Sequence, residues 1–332
     1  MLSGNRPTGP LHLGNYLGAL ENWVRLQDAH ACYFMVADWH ALTSDYADTS
    51  GLPQYTRQMV LDWLGAGLDP RRSVLFIQSQ VKEHAELALL LGMFTPVPWL
   101  ERTPSFKEIQ QQLHERDLNT HGFLGYPVLQ AADILAYKAT IVPVGEDQVA
   151  HLELAREIVR RFHHLIGREV FPEPQPLLSP VPKLTGTDGR KMSKSYNNCI
   201  YLSDGSAQVW DKVKEMVTDP ARVRRSDPGH PEVCSVYAYH EVFTRPERET
   251  IAADCRAARI GCVDCKRKLH ASLEALLEPI RARRAPLEAR PAQVDEIIEE
   301  GNARARAVAE ETLGEVRAAL HLPSAAPLSA RD

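Results

Sequence analysis

The first half of the chain alternates between two patterns of apolar residues. Short uninterrupted apolar runs are typical of buried parallel strands, whereas apolar residues three and four positions apart are typical of helices. The first pattern predicts strands over residues 32–37, 74–78 and 141–144, and the second predicts helices over 14–28, 53–68, 83–93, 127–137 and 147–162. This alternation predicts an α/β fold with a Rossmann-like, doubly wound parallel sheet, in which ligands bind beyond the carboxyl ends of the strands.

Other stretches depart from this alternation and indicate a domain organisation. Residues 95–125 contain two early prolines and a charged helical pattern over 103–116, which indicates an insertion, and residues 171–182, with five prolines, are expected to be extended. From Ser206 onward the patterns are helical, over 206–217, 235–243, 247–258, 262–283 and 292–320. We predict a first domain over residues 1–200, a C-terminal all-helical domain over 201–322 whose final helix packs back on the first domain, and a flexible tail over 323–332.

The composition limits where the chain acts and what it binds. No apolar run reaches the roughly 18 residues needed to cross a bilayer, and the first residues show no signal-peptide pattern, so we expect a cytoplasmic protein with no membrane partner. Because the formal net charge is −5, a nucleic acid partner must be held by local basic patches. The two candidate patches are Arg222, Arg224 and Arg225, and Lys266, Arg267 and Lys268, for which solvated surface charges are the alternative.

A glycine-flanked segment, the lysine loop (residues 186–195, GTDGRKMSKS), carries the strongest chemical signal. Its Lys191 and Lys194 lie three residues apart on flexible stems that can clamp a polyphosphate leaving group; the alternative is a plain basic surface loop. Near the N-terminus, residues 3–15 (SGNRPTGPLHLGN) run from a strand through a Pro/Gly turn into a helix start, which can present N–H groups to a phosphate. The pairing of these segments indicates an enzyme that activates its substrate with a nucleotide.

Together the two segments resemble the two signatures of class I aminoacyl-tRNA synthetases, and residues 122–148 (GFLGYPVLQAADILAYKATIVPVGEDQ) are similar to the bacterial tryptophanyl-tRNA synthetases. The resemblance covers nearly the whole chain. It implies that the chain binds ATP with Mg²⁺, L-tryptophan and tRNA(Trp), and joins tryptophan to the tRNA through an adenylate. It also implies a homodimer, to which the apolar segment 87–99 would contribute. The alternatives are a tyrosyl-tRNA synthetase, which shares both signatures, and a paralogue that binds nucleotide and tryptophan without charging tRNA.

The resemblance also implies which residues form the nucleotide site. Catalytic roles fall to Lys191, Lys194, His12 and Lys107, of which Lys107 could instead be a surface lysine of the insertion. The implied ATP-binding residues are Arg6, Thr8, Gly9, His12, Gly14, Asn15, Gly145, Asp147, Lys191, Met192, Ser193 and Lys194. Asn15 stands where the family pattern usually has histidine, as is common in the tryptophan branch. Asp147 could bind the ribose or cap its helix.

Selection of the amino acid is expected to depend on Asp133, an acid within the otherwise apolar run 128–135. Its carboxylate can accept the indole N–H, and its alternative role is that of a structural carboxylate bonded to nearby backbone. The other tryptophan-binding residues that the resemblance implies are Tyr126, Gln130, Gln148, His40, Val142 and Val144. Tyr126 and His40 could instead be core residues, and Gln148 a polar residue of a first helical turn. Leu2 and Gln130 replace the aromatic residue and the methionine that some relatives carry there.

Four late cysteines, Cys234, Cys255, Cys262 and Cys265, have the spacing C-x20-C-x6-C-x2-C. Four thiolates can hold either a [4Fe-4S] cluster or a tetrahedral Zn²⁺ ion. One branch of tryptophanyl-tRNA synthetases has the similar spacing C-x22-C-x6-C-x2-C and carries an iron-sulfur cluster. The resemblance therefore implies a [4Fe-4S] cluster with a structural or anticodon-side role, while zinc and free thiols remain as alternatives.

Overall fold

A computed structural model describes residues 1–103, 120–178 and 184–323, except for the side chains of Asp147 and Ser195. Its strands are β1 (Leu2–Asn5), β2 (Cys32–Val36), β3 (Ser73–Ile77), β4 (Ile141–Val144) and β5 (Gln175–Leu178). The helices among these strands are α1 (Leu13–Asn15), α2 (Glu21–Leu26), α3 (Asp38–Asp45), α4 (Leu52–Ala66), α5 (Glu83–Gly92), α6 (Val97–Glu101), α7 (His121–Ala136) and α8 (Val149–Ile166). The later helices are α9 (Ser206–Glu215), α10 (Ser235–Phe243), α11 (Arg248–Arg256), α12 (Cys262–Glu288) and α13 (Pro291–Ala319).

The strand pairs of the described residues are all parallel and form two sheets. Strand β2 pairs with both β1 and β3, and β4 pairs with β5. Because β4 also lies against β1, the strands follow the order β3-β2-β1-β4-β5. The chain reverses its direction of winding between β1 and β4, which leaves a crevice at the carboxyl ends of these two strands. The predicted α/β fold with a Rossmann-like parallel core and helical C-terminal region is confirmed.

Three predicted elements differ from the structure. The helix expected over residues 14–28 is interrupted, because a π-helical segment (Tyr16–Leu20) separates α1 from α2. Helix α7 begins at His121 rather than at residue 127, because the Thr120 side chain accepts the N–H of Phe123 at 3.1 Å and caps an earlier first turn. Residues 175–178 were expected only to be extended, but they pair with β4 as an edge strand, where a proline is tolerated.

Two expectations concern segments that are mostly outside the described residues. Of the charged helix expected over 103–116 only Thr103 is described, and of the tail over 323–332 only Pro323. Lys107 therefore lies outside the described residues. Among the helices that are described, none is both long and apolar enough to cross a membrane.

The final helix, α13, packs directly against β3. Gly301 allows this contact, since a Cβ atom at this position would lie 1.8 Å from the carbonyl oxygen of Leu75. The neighbouring Asn302 accepts the backbone N–H of Ile77 on its Oδ1 at 2.9 Å. One face of the catalytic sheet is therefore covered by a helix from the far end of the chain.

Helix α12 shares an apolar core with the N-terminal half. Its Leu273, Leu277 and Ile280 belong to the buried cluster that contains Trp23 and Trp63. The close packing of α12 on α4 is visible at Gly65, where a Cβ atom would lie 3.0 Å from the carbonyl oxygen of Ile280. The helical region and the strand region are therefore held together by buried side chains, and the domain boundary near residue 200 stays a prediction.

Candidate functional site

A cavity of about 420 Å³ opens at the crevice between β1 and β4. Many of the residues expected to bind the amino acid line its walls: His40, Tyr126, Gln130, Asp133, Val142, Val144 and Gln148. Arg6 and Gly145, from the expected nucleotide site, line the same cavity, as does Leu2. The structure thus brings together residues from four separate segments of the chain at the position where a parallel α/β fold binds ligands.

A buried carboxylate with several donors lies in the wall of this cavity. Asp133, 2% exposed, accepts hydrogen bonds from Nε2 of His40 at 2.8 Å, Nδ1 of His84 at 2.6 Å and Nε2 of Gln78 at 2.8 Å. An ionised carboxylate only accepts, so both histidines donate to it. Burial opposes its ionisation, but the hydrogen bonds from His40 and His84 outweigh burial and hold the pKa of Asp133 below its ordinary value. Asp133 is therefore an anion without backbone partners among these contacts.

Behind this carboxylate lies a chain of buried polar groups that sequence reasoning missed. In the neutral imidazole of His84, Nδ1 donates to Asp133 and Nε2 accepts from the hydroxyl of Tyr137 at 2.7 Å. Neither His84 nor Gln78 lines the cavity, whereas His40 and Asp133 both do. The side of the carboxylate shared with His40 is thus the side that faces a ligand. A histidine in a helix gives no sequence signal of such a role by itself.

A second histidine links the two residues expected to hold the amino and carboxylate groups of the substrate. Nδ1 of His151 lies 3.1 Å from Oε1 of Gln148 and therefore donates to it. Its Nε2 then accepts from the Tyr126 hydroxyl at 2.7 Å. His151 is 4% exposed and also lines the cavity. In the sequence, the only indication of this role for His151 was its position one helical turn after Gln148.

The N-terminal phosphate turn (residues 7–12) contacts the lysine loop. At Gly9, with a φ of +122°, a Cβ atom would lie 3.3 Å from Nζ of Lys194, and this Nζ donates to the Thr8 hydroxyl at 3.4 Å. At Gly14 a Cβ atom would lie 3.3 Å from Sδ of Met192. Lys191, in contrast, is exposed. The structure thus brings one of the two expected lysines onto the turn and leaves the other at the surface.

The imidazole of His12 is oriented by the start of helix α1. Its Nδ1 accepts the N–H of Asn15 at 3.3 Å, while Oδ1 of Asn15 accepts the N–H of His12 at 3.1 Å. Burial, followed by the charge of Lys194, lowers the pKa of His12 to about 4. The ring is therefore neutral at pH 7, and its proton lies on Nε2, which can donate to a phosphate oxygen. Asn15 at the position of the usual histidine thus acts as the reciprocal cap.

The conformation of the lysine loop depends on Asn198, a residue that sequence reasoning missed. The Asn198 side chain is 2% exposed; its Oδ1 accepts the N–H of Ser193 at 2.8 Å, and its Nδ2 donates to Oδ1 of Asp188 at 2.8 Å. At Gly186 a Cβ atom would lie 2.1 Å from this Nδ2. The first glycine of the loop is thus required because the amide lies beneath it.

The four late cysteines lie in one region around the start of α12. Cys265 Sγ lies 3.3 Å from Nε2 of His240, and Cys255 Sγ accepts from the Arg222 guanidinium at 3.7 Å. Burial, and then the neighbouring thiols of Cys234, Cys255 and Cys262, raises the pKa of Cys265 to about 12. Within the described ranges, no group of three or more His, Cys, Asp or Glu side chains is arranged so that it could hold a metal ion.

The two basic patches are partly occupied by internal contacts. Arg222 is buried and donates to the carbonyl oxygens of Arg225 and Ile260 at 3.0 and 2.7 Å. Lys266 donates to the carbonyl oxygens of Lys214 and Met216 at the C-terminal end of α9, and Lys268 pairs with Glu247 at 2.7 Å. These residues therefore stabilise the helical region, whereas Arg224 and Arg225 are exposed.

Comparison with known proteins extends these observations. The family described as "tRNA synthetases class I (W and Y)" matches residues 1–278. The chain is 55% identical over 325 residues to a tryptophan–tRNA ligase of Thermotoga maritima, with 97% of this chain and 99% of that protein covered. The tryptophan–tRNA ligase of Aquifex aeolicus is 46% identical over 394 residues, with 97% of this chain and all of that protein covered. A structure of Campylobacter jejuni tryptophanyl-tRNA synthetase complexed with ADP and tryptophan superimposes with a TM-score of 0.87 at 33% identity, and covers 97% of this chain and 99% of that one.

Proposed function

The chain belongs to the class I tRNA synthetases that act on tryptophan or tyrosine. We propose how its cavity and the adjoining phosphate turn activate tryptophan with ATP. It acts as a tryptophan–tRNA ligase. The observation that carries the proposal is the buried Asp133 carboxylate, which faces the cavity as an acceptor. An indole N–H can donate a further hydrogen bond to this carboxylate, whereas a purely apolar side chain has no donor to offer it. The named relatives are tryptophan enzymes over nearly their full lengths, so the tyrosine alternative is not retained.

The amino acid lies along the cavity with its indole ring towards Asp133. Val142, Val144 and Gln130 flank the ring, and the linked Tyr126 and Gln148 hold the amino and carboxylate groups. His151 fixes both of these side chains at once. The carboxylate of the substrate is thereby directed towards the phosphate turn, where the nucleotide binds.

Adenylate formation requires attack of this carboxylate on the α-phosphate of ATP with loss of pyrophosphate. ATP is bound by the turn and the helix start, through Arg6, Thr8, Gly9, Gly14 and Asn15, and by Gly145, Asp147, Met192 and Ser193. Nε2 of His12 donates to a phosphate oxygen, and Lys194 neutralises charge that accumulates on the leaving group. Lys191 and Lys107 act as further cations once the lysine loop closes over ATP, and Mg²⁺ accompanies the phosphates.

The direct test is a pyrophosphate-exchange assay with purified protein. Tryptophan should drive exchange of labelled pyrophosphate into ATP, tyrosine should do so poorly, and tRNA(Trp) should then accept the amino acid. Equal exchange with both amino acids would contradict the assignment. Exchange without any transfer to tRNA would instead identify a paralogue that does not charge tRNA.

The affinity for ATP should fall on the alkaline side of pH 8. Burial lowers the pKa of Lys194 to about 8, so the free enzyme loses this cation as the pH rises through that value. If ATP binds only the protonated form, the KM for ATP should rise about tenfold between pH 7 and pH 9. Lys194→Arg, whose side chain stays charged, should flatten the profile. A wild-type KM that does not vary over this range would show that the charge of Lys194 is not needed for ATP binding.

We propose that Cys234, Cys255, Cys262 and Cys265 bind a [4Fe-4S] cluster, with Zn²⁺ as the alternative. Four thiolates are a donor type that suits either group. Because the described thiols are not arranged around a common metal position, they would have to converge when the group binds. A small residue is also needed at Gly229, where a Cβ atom would lie 2.5 Å from Cys255 Sγ. Burial raises the pKa of Cys255, and the guanidinium of Arg222, which faces this sulfur, opposes that effect. The bound group would stabilise the helical region where α10, α11 and α12 meet.

Cys265→Ser should remove the metal and impair charging of tRNA more than adenylate formation. The thiols lie at the start of α12, in the helical region, so the cavity should keep its shape. Iron and zinc analysis after anaerobic purification, with both half-reactions measured, provides the test, and Cys32→Ser serves as a control because Cys32 is a buried thiol in strand β2. Full metal content in Cys265→Ser, or equal loss in both half-reactions without unfolding, would contradict this prediction.

The protein should form a homodimer through α5 and α6. Leu89, Met93 and Val97 are 59, 71 and 52% exposed, which is an unusual apolar surface for a monomer. Sedimentation at micromolar concentration should give twice the chain mass of 37.2 kDa. A monomeric mass together with full charging activity would contradict it.

The helical region over residues 201–322 is proposed to bind the anticodon arm of the tRNA. The exposed Arg224 and Arg225 flank Val223, which is 85% exposed, and this combination suits contact with phosphates and an unstacked base. Since the tRNA is charged where translation takes place, we propose a cytoplasmic location.

A further inference from the structure

A buried carboxylate supports the phosphate turn from inside the protein. Asp62 of α4 is 0% exposed, and its Oδ2 accepts the backbone N–H of Leu11 at 2.9 Å. Leu11 directly precedes His12, and its own carbonyl oxygen accepts the N–H of Leu202 at 2.9 Å. The backbone that presents His12 is therefore held on one side by Asp62 and on the other by the segment that follows the lysine loop.

Asp62 is in turn held by a residue of the helical region. The guanidinium of Arg284, on α12, pairs with Oδ1 of Asp62 and donates to Oε1 of Gln58. Close packing of α12 on α4 brings Arg284 to Asp62, because a Cβ atom at Gly65 would lie only 3.2 Å from Cβ of Arg284. Nε of Arg283 also donates to the carbonyl oxygen of Gly65 at 2.7 Å. The position of Asp62 thus follows the position of α12.

Stability alone does not account for an ion pair in this place. A buried pair is commonly no more stabilising than well-packed apolar side chains of similar volume. Burial raises the pKa of Asp62 to about 6, while Arg284 and the N–H of Leu11 favour the anion, so the carboxylate is ionised at pH 7 and above. The charge of Asp62 also acts on Lys194 across the phosphate turn. The pair therefore lies between both signature segments and α12.

Building on the proposed function, we propose that Asp62 is a positioning residue for adenylate formation, which holds the Leu11 N–H, and with it the turn that carries His12, in the geometry that binds ATP. Arg284 serves to hold Asp62 in place. Loss of the acceptor at position 62 should loosen the turn and weaken ATP binding, while the tryptophan cavity, which Asp62 does not line, should be unaffected.

The test compares two double variants that lack both charges. Asp62→Leu with Arg284→Met removes the acceptor, whereas Asp62→Asn with Arg284→Met keeps a side-chain oxygen for the Leu11 N–H. In tryptophan-dependent pyrophosphate exchange, the leucine pair should raise the KM for ATP about tenfold, the scale for a buried donor that loses its acceptor, and leave the KM for tryptophan unchanged. The asparagine pair should stay within about twofold of the wild type.

Thermal unfolding shows whether each variant folds. If the Asp62→Leu, Arg284→Met protein does not fold, Asp62→Ala with Arg284→Met provides a second protein without an acceptor at position 62. Lys138→Met, which removes the partly exposed Lys138–Glu315 ion pair between the loop after α7 and α13, controls for loss of a charge pair between the strand region and the C-terminal helices. Equal KM values for ATP in folded acceptor-free and asparagine proteins would overturn the proposal. Absence of exchange in the wild type would overturn the proposed function instead.

Discussion

Replacing Lys194 with alanine should lower the rate of adenylate formation about 100- to 1000-fold, the scale for removal of one preorganised charge stabiliser. The ammonium group of Lys194 lies against Gly9 and the Thr8 hydroxyl, so it is already close to where the phosphates bind. Its charge acts on the pyrophosphate as negative charge accumulates there. Rapid-quench measurement of adenylate formation, with tryptophan binding measured separately, should show a loss of rate at near-normal tryptophan affinity.

Two other variants of the lysine loop serve as comparisons for Lys194→Ala. Lys191→Ala should cause a loss of the same kind, but not an additive one, because the loop closes as a unit. Arg190→Gln removes a cation that stacks over the Tyr196 ring at 4.5 Å and pairs with Asp188, and it should have a small effect. Unchanged adenylate formation in Lys194→Ala would show that this lysine does not act on the leaving group.

Replacing Asp133 with alanine should lower the preference for tryptophan over phenylalanine about 100-fold, because the indole N–H then has no acceptor in the buried wall. The affinity for ATP should change little, since the carboxylate is remote from the phosphate turn. The ratio of kcat/KM for the two amino acids in pyrophosphate exchange is the measurement. The variant should also be less stable, because His40, His84 and Gln78 lose the group to which they donate.

Asp133→Asn distinguishes the role of Asp133 in tryptophan recognition from its structural role as the acceptor for His40, His84 and Gln78. Its amide oxygen can still accept, so it should retain more of the tryptophan preference than alanine does. Melting temperatures of both variants identify any loss that comes from unfolding. A tryptophan-to-phenylalanine ratio equal to that of the wild type in a folded Asp133→Ala protein would show that the carboxylate is purely structural.

The parts of the site that could be predicted from the sequence are those whose chemistry lies in one short segment. The lysine loop and the phosphate turn each combine glycines, cations and a helix start within a few residues, so their spacing indicated a function. Strand β4 and the helices after residue 206 could also be predicted, because each has its own pattern of apolar residues.

The supporting residues could not be predicted because their partners are distant in the sequence. His84 meets Asp133 across 49 positions, and Arg284 meets Asp62 across 222. In the sequence, each is an ordinary polar residue on a helix. Only the packing of that helix gives it a partner. Strand β5 was missed for the same reason, since the proline-rich stretch that contains it gave no strand pattern and its pairing with β4 exists only in the fold.

The contact of α13 with β3 also has a consequence for the synthesis of the protein. Ile77 and its partner Asn302 are 225 positions apart. At about 5 to 20 residues per second, a ribosome needs roughly 10 to 45 seconds to add the intervening chain. During that interval the apolar face of β3 lacks the helix that covers it in the native protein. We therefore expect this face of the first sheet to be covered only after α13 has been synthesised, more than 200 residues after β3.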